Sequence, residues 1–200
     1  AAKAVKEGAA PNLCIPGGDK AASAISAIVG VPFESVREVA AFVHCNGNYN
    51  ATTDKYNYRG VLSCAASSLF YGGRSSCRDG CLGFGDCAAV CPSGAIKVVN
   101  GCAHVDEGLC TGCLLCVKTC PKHIISAKPK NAPVAVVCSS KLIGKETRLT
   151  CKNGCIACKR CEKTCEAGAI KVTDNFAAID YTLCTSCGKC AEVCPVGCIH

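Results

Sequence analysis

Of the 200 residues, 23 are Cys, only five each are Phe and Tyr, and Trp and Met are absent. A chain so poor in large apolar side chains cannot build an ordinary core for its length, so bound inorganic centres are expected to supply part of the folding energy. The formal charge of +7 invites a nucleic-acid partner, but it counts every thiol as neutral. Thiolates bound to metal centres would carry net negative charge, cancel that excess and remove that reading. No uninterrupted apolar stretch approaches the roughly 18 residues of a membrane helix, and the opening AAKAVKEG lacks a signal peptide's features, so the chain is read as a soluble piece.

In chain order, Asp19 is expected to cap a helix whose Ala22, Ile25, Ile28 and Val29 share a face, with Gly30 and Pro32 ending it. Val39–Val43 reads as a strand, and 46–63 as connecting loop within a segment 39–63. Beyond this the cysteines repeat. Adding 74 to Cys64, Cys77, Cys81, Cys87, Cys91, Cys110, Cys113, Cys116 and Cys120 reaches Cys138, Cys151, Cys155, Cys161, Cys165, Cys184, Cys187, Cys190 and Cys194. Two copies of one module are therefore expected, at 64–126 and 138–200, with a Pro- and Lys-rich linker at 127–137. Each module is itself a tandem, because the last Cys of every motif is followed five residues later by Ile, at Ile96, Ile125, Ile170 and Ile199. The fold class is α+β, with tandem two-cluster ferredoxin-like modules built of one-turn helices after the third Cys and short strands between motifs.

Three motifs are regular: Cys110-x2-Cys113-x2-Cys116-x3-Cys120-Pro121, Cys155-x2-Cys158-x2-Cys161-x3-Cys165 and Cys184-x2-Cys187-x2-Cys190-x3-Cys194-Pro195. Three closely spaced Cys wrap one [4Fe–4S] cubane and the fourth reaches the other cluster of the pair. Structural zinc would need only two separated Cys pairs, and a disulfide framework does not suit Cys triplets without a secretory signal. Reciprocal ligation expects Cys155, Cys158 and Cys161 with Cys194, then Cys184, Cys187 and Cys190 with Cys165, and in the first module Cys110, Cys113 and Cys116 with Cys91. The partner site is irregular, since Phe84 stands where the second module has Cys158. Cys81, Cys87 and Cys120 need a fourth ligand, or the site holds a three-ligand cluster; Cys77 is nearest in sequence, with Cys64 or Cys45, carried in by a loop, as the competing assignment. Four clusters are expected.

Cys102 and Cys198 read as small buried side chains, and Cys64, Cys138 and Cys151 stay open between structural thiol and alternative ligand. His44, His104, His123 and His200 read as solvated, as do the Lys and Arg residues, including Lys3 to Lys6 and Lys159-Arg160, with docking of an acidic redox partner as the alternative for the basic residues. Gly83-x-Gly85 opens no βαβ unit and is not a dinucleotide site.

Cys14-Ile-Pro-Gly-Gly18 between Ala-rich segments, and the variant Cys81-Leu-Gly-Phe-Gly-Asp-Cys87, resemble the B subunit of Rnf complexes in its clostridial form. The resemblance implies an electron-transfer subunit of a membrane ferredoxin:NAD+ oxidoreductase coupled to Na+ or H+ transport, with no bond-making site on this chain. It further implies reduced ferredoxin and other complex subunits as partners, and a place on the cytoplasmic face of the membrane. Residues 1–38 would be the remainder of an N-terminal iron–sulfur domain, with a membrane helix and three Cys expected ahead of Cys14, Ala1 an internal start, and Cys14 a ligand of one more cluster. Glu166 departs from the family's usual Pro after the fourth Cys. The alternative is a soluble polyferredoxin, or the iron–sulfur subunit of a cytoplasmic flavin- or thiamine-dependent oxidoreductase.

Overall fold

The computed structural model describes residues 7–200; the reading of Lys3 to Lys6 lies outside them. Two short 3-10 turns, Pro11–Leu13 and Ile15–Gly17, lead into α1, Gly18–Val29. Gly30 ends it in the left-handed conformation (φ 73°), its N–H bonded to Ser26 O at 2.8 Å. Asp19 is not the cap. It lies in the first turn, where its carboxylate accepts from Val36 N at 2.6 Å and Ser35 Oγ at 2.7 Å, tying the segment after the helix back to its start. Of the four residues expected to share a face, Ala22 is buried, Ile25 and Val29 are half-buried and Ile28 is 79% exposed.

The remaining elements are β1 (Val39–Val43), α2 (Cys64–Ser68), α3 (Asp86–Ala89), β2 (Ile96–Val99), β3 (Cys102–Val105), α4 (Leu115–Thr119), β4 (Ile125–Pro129), α5 (Gly144–Thr150), α6 (Arg160–Thr164), β5 (Ile170–Thr173), β6 (Phe176–Ile179) and α7 (Lys189–Glu192). The strands form three antiparallel pairs, β1 with β4, β2 with β3 and β5 with β6. Each repeated Ile plugs a core at the same place: Ile96, Ile125, Ile170 and Ile199 are all buried. One core gathers Ile96, Ile124 and Ile125 around Cys87 and Cys116; the other gathers Val134, Val136, Ile170 and Ile199 around Cys138, Cys155 and Cys161.

Two expected boundaries are corrected. Strand β1 belongs to the first module, since Val39 to Val43 pair with Pro129 to Ile125. Residues 127–137 are not a free linker, because β4 runs to Pro129 and Val134–Val137 are buried in the second core, where Val136 bridges Ile199. That bridge is the second module's shortened copy of the β1–β4 ladder. His44 N bonds Ile124 O at 2.7 Å, and Val137 N bonds Cys198 O at 2.9 Å, so Cys45 and Cys138, each the next residue, occupy equivalent places.

His44 also departs from the solvated reading. It is half-buried, its Nδ1 donates to Val136 O at 2.8 Å, and its Nε2 accepts from Ser126 Oγ at 2.6 Å. Burial pushes its pKa down, which favours the neutral ring that this bonding pattern needs. Lys128 is likewise no solvated residue: its side chain is 4% exposed and its ammonium meets Glu107 Oε1 at 2.8 Å and Ala132 O at 3.0 Å. Among the described residues no helix is long and apolar enough to cross a membrane.

Candidate metal centres

Four loops share one backbone design. In each, the residues two and four places after the first Cys are left-handed: Gly83 and Gly85, Gly112 and Leu114, Ala157 and Lys159, Ser186 and Gly188, with φ between 53° and 84°. Left-handed backbone costs a non-glycine residue about 1–2 kcal/mol, so Leu114, Ala157, Lys159 and Ser186 are held there against preference. Such turns aim successive N–H groups at one point and form an anion-binding nest. The Cys81 sulfur accepts from Gly83 N and Ala103 N, and its counterpart Cys155 from Ala157 N and Ala177 N. Gly83 cannot be replaced, as a Cβ there would stand 2.5 Å from Gly101 O.

The short helices α3, α4, α6 and α7 begin just before the third Cys of each loop and turn it inward. In the second module Cys161 faces Cys155, Cys158 and Cys194, and Cys190 faces Cys184 and Cys187. Cys165, Cys184, Cys190 and Cys194 all pack on the second core. In the first module Cys116 faces Cys110 and Cys113, and Cys91 and Cys110 pack on the same core as Cys116. The Cys155, Cys158, Cys161 and Cys194 grouping is the one that reciprocal ligation expects; in the other two regular sets each loop's own three thiols meet, with Cys165 and Cys91 packed on the same cores.

At the irregular site the expected ligand is corrected. Cys87 faces Cys81, Cys120 and Cys64, and these four thiols line one cavity. Cys77 is not among them. Cys64 is positioned by its place in α2, whose first turn is anchored over the cavity: Ser63 Oγ accepts from Ala66 N at 3.1 Å, and Asp86 accepts from Cys64 N at 2.8 Å and Ala65 N at 3.0 Å. Burial works against the Asp86 carboxylate, but the Ala65 and Cys64 hydrogen bonds outweigh it and lower its pKa. Phe84 packs beside Tyr58, ring centroids 5.6 Å apart, with the Arg74 guanidinium 4.9 Å from its ring.

Cys77 stands instead in a second cavity with Cys45, Cys138 and Cys151. Cys151, left open between structural thiol and alternative ligand, is therefore grouped with Cys77 in space. Spacing alone could not reveal this grouping, because it joins thiols from both modules. Cys14 is exposed, between the two 3-10 turns, and the residues after it lie against the Cys110 loop, where a Cβ on Gly112 would stand 2.9 Å from Ile15 Cγ2.

Two further buried thiols touch ligand positions. Cys102 and Cys198 are 0% and 2% exposed. A hydrogen bond from Cys102 is the chief reason the Cys81 thiol is pulled down to about 6, and one from Cys198 does the same for Cys155, also to about 6. Burial pushes Cys87 up to about 12 and Cys161 up to about 11. Cys81 and Cys155 are thus the thiols most ready to meet a metal as thiolates.

The donor set fits iron–sulfur clusters. All 23 cysteines are free of disulfides, sulfurs receive backbone N–H groups, and thiols line the walls of a cavity instead of converging on a point. Among the described residues no three His, Cys, Asp or Glu side chains are arranged to hold a single metal ion.

Comparison with known proteins agrees. A 4Fe-4S binding domain family matches residues 103–126 and 177–200, and a second one matches 152–168. The chain is 38% identical over 192 residues to the B subunit of the ion-translocating oxidoreductase complex of Methanosarcina acetivorans, covering 96% of this chain and 73% of that protein. It is 40% identical over 200 residues to the B subunit of the Na(+)-translocating ferredoxin:NAD(+) oxidoreductase complex of Acetobacterium woodii, covering 100% of this chain but 60% of that protein. To the B subunit of the proton-translocating ferredoxin:NAD(+) oxidoreductase complex of Clostridium ljungdahlii it is 37% identical over 196 residues, covering 96% and 69%. With these relatives matched along nearly its whole length, and with cysteine loops built to hold [4Fe–4S] clusters, the chain belongs to the B-subunit family of ion-translocating oxidoreductase complexes.

Proposed function

We propose that the chain is the multi-cluster electron-transfer subunit of a ferredoxin:NAD+ oxidoreductase complex coupled to Na+ or H+ transport. It accepts electrons from reduced ferredoxin and works on the cytoplasmic face of the membrane, held there by partner subunits or an N-terminal segment. When bound, [4Fe–4S] clusters supply reversible one-electron transfer without a bond to any substrate. The ligand sets of this reading are Cys155, Cys158, Cys161 and Cys194; Cys184, Cys187, Cys190 and Cys165; Cys110, Cys113, Cys116 and Cys91; and Cys81, Cys87, Cys120 and Cys64. Cys14 joins a further site in the intact protein. The residues around these thiols shield them from water, aim N–H groups at sulfur, and so set how readily negative charge is accepted.

The observation that carries the reading is the fourfold recurrence of one left-handed thiol loop in a chain matched end to end by this family. Ferredoxin docking is placed at the second module. Its Cys158 and Cys187 are exposed, beside Lys159, Arg160 and Lys189, whereas every candidate ligand of the four sets in the first module is at least half-buried. A basic rim around an exposed cluster suits an acidic redox protein. Anaerobic mixing with reduced ferredoxin should generate the electron paramagnetic resonance signals of reduced clusters, at a rate that falls as salt rises. If dithionite reduces the chain and ferredoxin does not, the proposed donor is wrong.

A further inference from the structure

We infer that Cys45, Cys77, Cys138 and Cys151 form a fifth [4Fe–4S] site that bridges the two modules. The inference rests on the reading of the other four sets as cluster ligands. The four thiols line one cavity, similar in size to the one lined by Cys64, Cys81, Cys87 and Cys120. Cys77 faces Cys45, Cys151 and Cys138. A Cβ on Gly47 would stand 3.4 Å from Cys45 Sγ and 3.7 Å from Cys151 Sγ, so the segment that follows β1 lies within van der Waals reach of a thiol of the second module.

All four sulfurs are prepared in the same way. Each receives the N–H of the residue two places on: Gly47 N to Cys45 at 3.3 Å, Ser140 N to Cys138 at 3.5 Å, Asp79 N to Cys77 and Asn153 N to Cys151. The same i+2 bond is made to Cys81, Cys91, Cys155 and Cys165 in the four sets already described. Backbone N–H groups aimed at sulfur stabilise thiolate and are wasted on a neutral buried thiol.

The site has internal two-fold logic. Cys77 and Cys151 are equivalent in the repeat, and Cys45 and Cys138 are equivalent in the strand pairing. Cys45 accepts from Cys81 N at 3.3 Å and Cys138 from Cys155 N at 3.3 Å, and Cys81 and Cys155 are themselves equivalent. Each module therefore brings half a ligand set, which has no use until the other half arrives. The site adjoins one ligand residue of a neighbouring cluster on each side, which places it between the two modules' cluster pairs. Zinc is the other occupant of four thiolates, but it needs sulfurs at about 2.3 Å from one point, and these thiols surround a volume like that of the neighbouring set.

The test is iron and acid-labile sulfide per chain after anaerobic reconstitution, with iron-edge anomalous scattering from crystals of the unaltered chain. About twenty iron atoms, five cubanes of four, are expected, with iron density between Cys45 and Cys151. Cys138→Ala and Cys151→Ala should each lose about four, and Cys187→Ala should also lose about four because it belongs to a regular set. If the unaltered chain holds about sixteen iron atoms and no iron stands between Cys45 and Cys151, the bridging site is refuted while the four-cluster reading stands. Zinc at that position refutes it equally. If Cys187→Ala costs no iron, the underlying reading fails instead. The crystal measurement needs no variant to fold.

Discussion

The buried thiol of Cys198 offers a quantitative test of how this fold tunes a cluster. Its sulfur stands 3.8 Å from Cys194 Sγ, and its hydrogen bond is the chief influence lowering the Cys155 pKa. Cys155 and Cys194 are proposed ligands of one cluster, so a single S–H serves that centre. A hydrogen bond to a charged group contributes roughly 1.5–3 kcal/mol net, but a thiol is a weak donor and only the gain on reduction shifts a potential. About half to all of 1.4 kcal/mol is a reasonable share, and for one electron 1.4 kcal/mol corresponds to about 59 mV. The sign follows from charge: the reduced cluster puts more negative charge on sulfur, so losing the donor disfavours reduction. Cys198→Ala should therefore lower one midpoint potential by about 30–60 mV, with iron content unchanged. Cys198→Ser, which keeps a donor at the same place, should recover much of the shift. Potentiometric titration followed by electron paramagnetic resonance reads both. Unchanged potentials in the alanine variant, or equal shifts in both, would refute the claim that this hydrogen bond tunes the cluster.

Two other outcomes follow from particular contacts. Cys64→Ala should lose about four iron atoms by chemical assay, Cys77→Ala should leave the Cys81 set loaded, and adding Phe84→Cys to Cys64→Ala should restore the iron, since it recreates the regular motif. The Lys128–Glu107 pair should be asymmetric: Glu107→Gln strands a buried ammonium at a cost of about 3 kcal/mol or more, whereas Lys128→Met leaves a half-exposed carboxylate that water can solvate. For a chain of this size that is about 6–12 °C in the anaerobic melting temperature for Glu107→Gln, against a few degrees for Lys128→Met.

Much of the site was legible because ligation within a loop is a matter of local spacing. Cys110-x2-Cys113-x2-Cys116 can place three ligands on a cluster from one local loop, and the repeated Ile marked where β2, β4 and β5 begin. What spacing could not reveal depends on long-range closure. Counting residues from Cys81 favours Cys77, but the N–H of Asp79 and the cavity with Cys138 and Cys151 hold Cys77 elsewhere. The solvated reading of Lys128 failed for a similar reason, since Glu107, 21 residues away, accepts its charge beneath the β1–β4 ladder. In α1 helical periodicity located the helix, but it did not say how deeply each residue of the face would pack: Ala22 is buried and Ile28 exposed.

The offset of 74 also conceals an exchange of roles. By count Cys64 corresponds to Cys138, but by strand pairing the counterpart of Cys138 is Cys45. Both readings hold because the first module carries the extra loop 46–63 between its strand and its first helix. That loop ends at α2 and delivers Cys64 to the place that Phe84 leaves without a thiol. Cys45 in turn matches Cys138 across the bridging cavity. The second module needs neither device, since Cys158 completes its set and Val137 runs directly into Cys138. Replacing one ligand by Phe84 is thus compatible with a complete complement only because a loop of this length closes at modest entropic cost. On this argument Phe84 and the loop are one structural unit, and shortening the loop should have the same consequence as removing Cys64. A deletion within 57–62 that keeps α2 in sequence should lose the iron of the Cys81 set and spare that of the Cys155 set, as read by iron-edge anomalous scattering. Retention of all iron would mean that Cys64 is not delivered by the loop.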